Sequence, residues 1–77
     1  MTPLMRLILH VIDDNRDAFW TDRNLFQAVQ DEAVHRPTRA MFYVAIRSLR
    51  AAGEISTEYT GPWVIRRVER DCLGPVA

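Results

Sequence analysis

Lysine is missing from this sequence altogether, and all ten of its basic residues are arginine. Cysteine occurs once, as Cys72, and glycine only at positions 53, 61 and 74. A single cysteine excludes a disulfide framework or a cysteine-based metal cluster and leaves a free surface thiol as its expected state. Three scattered glycines cannot make a phosphate-cradling loop, and no Ser/His/Asp arrangement or zinc-helix motif is present, so an enzyme is not expected. Long apolar runs are absent as well, none approaching the roughly 18 residues that a membrane span requires. The early stretch "LMRLILHVI" has no small-residue cleavage site of the kind a secretory signal carries, and the expected location is cytoplasmic. His10, Asp13 and Asp14 come nearest to a metal set, with His10 and Asp14 on one helix face. Two or three ligands without a further partner read more simply as a solvated helix end. No cofactor and no metal are expected.

Net charge is the other absence, since ten arginines meet ten acidic residues. Neutrality weakens the general electrostatic argument for a polyanionic partner, but the distribution partly restores it. Residues 1–32 hold three arginines against six acids, and residues 33–77 hold seven arginines against four, so the halves carry opposite net charges of −3 and +3. Arginine brings a planar fork suited to phosphate and to guanine edges. The lack of lysine is equally what a GC-rich coding sequence produces.

What is present is an ordinary globular composition, with 48% hydrophobic and 26% charged residues in 77, enough for one core and too much hydrophobicity for disorder. A domain this small is short of core, which makes oligomerisation or a bound partner a reasonable expectation. The reading is one domain over residues 1–70 and a Gly/Pro-broken tail over 71–77.

Hydrophobic spacing and caps divide the domain into elements. "PLMRLILHVIDD" reads as a helix capped by Thr2, with Pro3 in its first turn and Leu4, Leu7, Ile8 and Val11 at helical spacing. Adding Met5, Leu9 and Ile12 widens its apolar arc to roughly 200°, beyond what one core needs. The excess suits either a dimer face or a helix sandwiched between others. After the polar turn "DNRD", the aromatic "AFWT" reads as a short strand. Thr21 then caps a second helix, "DRNLFQAVQDEAV", with Leu25, Phe26 and Val29 inward and Asp22 complementing the dipole of its first turn. His35 and Arg36 form a turn. Pro37 fits the first turn of a third helix that runs to about Ala52 and stops at Gly53. "EISTEY", the turn "TGP" and "WVIRRV" make a hairpin.

The resulting order of helix, strand, helix, helix, strand, strand resembles the winged helix-turn-helix family over roughly residues 3–68. The likeness is carried by "FWTDRNLFQAV", "PTRAMFYVAIRSLRAAGEI" and "EISTEYTGPWVIRRV". Within it, "FYVAIRSLRAAGEI" is similar to the helix-to-wing passage of bacterial regulators such as ferric-uptake-type repressors. Their second, metal-binding domain has no counterpart here, so metal sensing does not carry over. The resemblance implies an α+β fold of three helices with a small antiparallel sheet. It also implies a small sequence-specific double-stranded-DNA-binding protein of bacterial or phage type, acting in transcription regulation, with the third helix in the major groove and the hairpin on the backbone.

The residues supply their own account of that surface. With Phe42, Ala45, Ile46 and Leu49 inward, helical geometry puts Arg36, Ala40, Tyr43, Val44, Arg47, Ser48 and Ala51 outward, flanked by Arg39 and Arg50. The candidate DNA-binding residues are therefore Arg36, Thr38, Arg39, Tyr43, Arg47 and Arg50 on or beside this helix, and Arg66 and Arg67 on the wing. Arg66 and Arg67 alternate in direction, so one of them at most shares the phosphate-facing side. Trp63 has two readings, packing the wing on the core against Trp20 or Phe19, which is the expected one, and stacking on a base. Because one module binds weakly, a homodimer through the first helix and the tail is expected. The alternative is a winged-helix module that docks a protein through the third helix or the wide arc of the first and binds no DNA. Exposed Tyr43 and Val44 suit that reading, and so does the neutral charge.

Overall fold

A computed structural model describes residues 1–68. Residues 69–77, which include Arg70 and the whole tail with Cys72, lie outside the described residues. Three helices, α1 (Pro3–Asp14), α2 (Asp22–Glu32) and α3 (Arg39–Ala51), precede two strands, β1 (Ile55–Tyr59) and β2 (Trp63–Arg67). The chain thus forms an α+β, winged-helix-like fold with five elements where six were expected. The missing one is the strand at "AFWT". Its trace is a single antiparallel bridge between Thr21 and Val64, with the Trp20 carbonyl accepting from the Ile65 N–H at 2.9 Å. Thr21 is also the N-cap of α2, so the chain turns into the helix before a ladder can extend.

Each helix begins at a threonine whose side-chain oxygen takes one of the orphan N–H groups of the first turn. Thr2 accepts from the Met5 N–H at 3.2 Å, and Pro3 follows where its missing N–H costs nothing. Thr21 and Asn24 cap each other reciprocally, Thr21 N–H donating to Asn24 Oδ1 at 2.7 Å and Asn24 N–H to Thr21 Oγ1 at 3.3 Å. Helix α2 stops at Glu32, shorter than its hydrophobic pattern suggested, because Ala33 is already extended. Helix α3 is capped by Thr38, which accepts from Met41 N–H at 3.2 Å. Pro37 consequently sits before the cap and not in the first turn; it is buried, and its carbonyl accepts from Gln30 Nε2 at 3.1 Å. Gly53, at φ 79°, ends α3 in a Schellman arrangement: its N–H donates to the Arg50 carbonyl and the Glu54 N–H to the Leu49 carbonyl, both at 3.0 Å.

The core forms where the helical stripes meet the hairpin. Ile8, Ile12, Leu25, Val29, Phe42, Leu49 and Ile55 are its largest fully buried members. The broad apolar arc of α1 has two uses. Its C-terminal half, with Ile8, Leu9, Val11 and Ile12 buried, is sandwiched against α2, α3 and β2, whereas Leu4, Met5 and Leu7 in its N-terminal half are only half-buried.

Strands β1 and β2 pair antiparallel from Ile55↔Arg67 to Tyr59↔Trp63, joined by Thr60–Pro62 with Gly61 at φ 105°. Directly opposed residues share a sheet face, so Ile55, Thr57, Tyr59, Trp63, Ile65 and Arg67 lie on one side and Ser56, Glu58, Val64 and Arg66 on the other. Arg67 fastens the base of the hairpin. Its Nε donates to Asp13 Oδ1 at 3.1 Å, and its Nη1 to the Glu54 carbonyl at 2.7 Å and to Glu54 Oε1 at 2.9 Å.

Candidate nucleic-acid interface

Helix α3 buries Phe42, Ala45, Ile46 and Leu49, as its periodicity predicts, and its remaining surface divides into two flanks of different chemistry. On one side it presents Arg39, over Phe26 of α2, and toward the hairpin Tyr43, Arg47 and Arg50. Toward α1 it presents Met41, Val44 and Ser48.

The arginine flank is ordered by its neighbours. The Arg39 guanidinium lies 5.2 Å from the centre of the Phe26 ring, a cation–π contact that places the charge at the start of the helix. Phe26 in turn meets Phe42 edge-on at 5.1 Å, so the position of Arg39 is referred to the core. Tyr43 is half-buried, and its hydroxyl donates to Asp22 Oδ2 at 2.9 Å. Burial first, and then this bond to Asp22, push the Tyr43 pKa above its ordinary 10, so the hydroxyl stays a donor throughout the neutral range. Arg50 donates to Thr57 Oγ1 at 3.3 Å, a long bond to a neutral partner on β1. Arg47 is exposed one helical turn from Arg50 and has no side-chain hydrogen bond or ion pair among the described residues.

Between this flank and the hairpin runs a groove of about 230 Å³ bordered by Asp22, Tyr43, Arg47, Arg50, Thr57 and Trp63. Trp63 was expected in the core. It is instead 43% exposed, and its ring meets Tyr59 edge-on at 5.1 Å across the hairpin. The register explains this. Trp63 shares the sheet face of Ile65, but at the turn end of the hairpin, whereas the buried residues of that face, Ile55 and Ile65, lie farther toward the base.

The other sequence candidates are placed less favourably. Arg36 is exposed in the connection before α3. The Thr38 oxygen is committed to the cap, leaving only its O–H to donate outward. Arg66 is on the hairpin face away from the groove, 4.0 Å from Glu58, with both side chains about two-thirds exposed. Such a pair contributes little to stability. Arg67, offered as a phosphate contact, is corrected here: its guanidinium is held by Asp13 and Glu54 with only 19% of the side chain exposed. Folding also mixes the two oppositely charged halves of the sequence, since Arg67 joins Asp13 and Asp22 enters the arginine groove. Asp22 and Trp63 border the groove without having been counted among the binding residues, although base stacking was one reading of Trp63; strand alternation counted back from Ile65 puts Trp63, and Tyr59 opposite it, on the groove side.

The second flank of α3 borders a larger groove, about 720 Å³, lined by the N-terminal half of α1, the α2–α3 connection and α3. Val34 at 92% exposure and Val44 at 61% are its most open large apolar members, and among the described residues no Asp, Glu or Arg lines it. Among the described residues no group of three or more His, Cys, Asp or Glu could hold a metal ion, and no helix is long and apolar enough to cross a membrane. No known protein family, curated protein or solved structure matches the chain.

Proposed function

We propose that this chain is a small, non-catalytic DNA-binding protein of the winged helix-turn-helix kind, acting in transcription regulation. It sets the arginine flank of α3 against a double helix, with the hairpin beside it. The observation that supports this most is the pairing of Arg47 and Arg50 on the open side of α3, neither engaged by a carboxylate in an ion pair among the described residues. Guanidiniums left without acidic partners beside a docked helix offer phosphate contacts, and a fork aligned with a guanine edge adds base discrimination. The test is a titration of labelled duplex DNA followed by fluorescence anisotropy from about 20 to 200 mM salt. Affinity is expected to fall linearly on logarithmic axes as salt rises, because each neutralised phosphate releases counterions. Absence of binding at the lowest salt removes this reading.

The larger groove favours a second reading, a module that docks a protein, and its chemistry points to a second copy of this chain. An apolar groove without charged lining gains most from an equally apolar occupant, and a 77-residue domain has a limited core of its own. Val44 and Ser48 belong both to this groove and to the outer arc of α3, so a copy seated there screens part of the helix from a duplex. Val34→Asp is expected to weaken self-association at least tenfold in sedimentation equilibrium while leaving the thermal unfolding curve in place at dilutions where the chain is monomeric, since Val34 is almost fully exposed. A chain that is monomeric at every concentration excludes the copy.

A further inference from the structure

The hairpin of this protein carries aromatic rings where a phosphate-binding wing would be expected to carry charge. On the groove side, Tyr59 is 66% and Trp63 43% exposed, while Arg67 is held at the base and Arg66 is on the opposite face. A duplex backbone gives aromatic rings little to bind. An unpaired base gives them a π-face, and stacking of this kind is how proteins hold single strands.

The rest of the groove fits the rest of a nucleotide. Among the described residues Arg47 has no hydrogen-bond or ion-pair partner and Arg50 only a neutral hydroxyl, so two guanidiniums are available to a phosphate. The half-buried end of the groove holds Asp22, whose Oδ2 accepts from Tyr43 and whose Oδ1 accepts from the Arg23 N–H. An ionised carboxylate has about four acceptor positions, which leaves capacity toward the groove. A carboxylate so placed accepts from the exocyclic amine of cytosine, a donor that thymine lacks. Aromatic wall, cationic rim and acceptor at the deeper end together are the complement of one splayed nucleotide.

We infer that the groove between α3 and the hairpin binds a single unpaired nucleotide of a DNA strand, with its base on Trp63, its amino edge toward Asp22 and its phosphate on Arg47 and Arg50. This rests on the DNA-binding reading above and narrows it: the preferred target is a duplex that continues into a single strand, with cytosine at the first unpaired position.

The full chain is titrated by anisotropy with three labelled oligonucleotides: a blunt duplex, the same duplex with a cytosine extension, and the same with a thymine extension. Tryptophan emission is followed in Trp20→Phe, where Trp63 is the one remaining tryptophan. The cytosine extension is expected to tighten binding over the blunt duplex by about 5- to 150-fold, the range of one base–aromatic stack. Trp63→Ala should erase that gain, bringing the extended and blunt duplexes to equal affinity. Because that variant can disturb the hairpin, the second readout is quenching of Trp63 emission in Trp20→Phe by the extended duplex and not by the blunt one. Equal affinity for blunt and extended duplexes with unquenched Trp63 overturns the inference while duplex binding stands. Equal tightening by thymine and cytosine overturns the role of Asp22. No binding to any of the three overturns both the inference and the reading beneath it.

Discussion

Phe42→Ala is expected to destabilise the fold by about 3–5 kcal/mol, the usual cost of emptying an aromatic site in a packed core. The ring is fully buried on the inner face of α3, edge-on to Phe26 at 5.1 Å and to Tyr43 at 5.6 Å. Truncation removes its transfer free energy and leaves a void that Ile8, Leu25 and Leu49, already close-packed, cannot fill without strain. Domains carry roughly 0.05–0.15 kcal/mol of stability per residue, or about 4–12 kcal/mol here, so the loss consumes a large share of the total. Urea unfolding followed by circular dichroism measures it. Phe19→Ala, at a ring that is mostly exposed, serves as the contrast and should stay within about 0.5 kcal/mol of the unaltered chain. A Phe42→Ala variant as stable as Phe19→Ala would show that α3 does not dock by this face. The effect also reaches the candidate site. Phe42 supports Phe26, Phe26 carries Arg39, and Tyr43 holds Asp22, so a loosened core blurs the arginine flank before the chain unfolds.

How far the sequence disclosed this arrangement depends on whether a feature is decided locally. Threonine caps at positions 2 and 21, the glycine stop at 53, the inward stripe of α3 and the hairpin about "TGP" are matters of neighbouring residues, and each was legible. Pro37 was misplaced by two residues because Thr38, directly after it, is the stronger cap. Trp63 and Arg67 were misread for a different reason. Alternation tells which residues share a sheet face, but not which positions along that face meet the core. Arg67 is at the end that meets Asp13 and Glu54, and Trp63 is at the open end. The same limit hid Asp22. Its place in the first turn of α2 was clear, but its approach to Tyr43, 21 residues away, depends on how two helices cross.

That crossing also decides which arginines matter, and it leads to the second large effect. Replacing Arg47 and Arg50 together by glutamate is expected to weaken duplex binding roughly a hundredfold at 50 mM salt. Each exposed contact between a guanidinium and a phosphate contributes about 1 kcal/mol, and reversal both removes it and adds repulsion of similar size. Screening over about a Debye length trims the combined loss for two residues to about 2–3 kcal/mol, which is the factor stated. The salt slope separates this electrostatic account from a folding defect. Removing two phosphate contacts should lower its magnitude by about 2, whereas partial unfolding lowers apparent affinity by one factor at every salt concentration. Arg66→Glu is the control. It makes half of that charge change, one reversal against two, on the far face of the hairpin beside Glu58, and should leave most of the affinity and slope intact. If Arg66→Glu lost half as much binding free energy as the double variant, net charge and not the α3 groove would govern binding. If neither variant changed the affinity, contact would lie elsewhere, and the apolar groove bordered by Val34 and Val44 would be the next surface to alter.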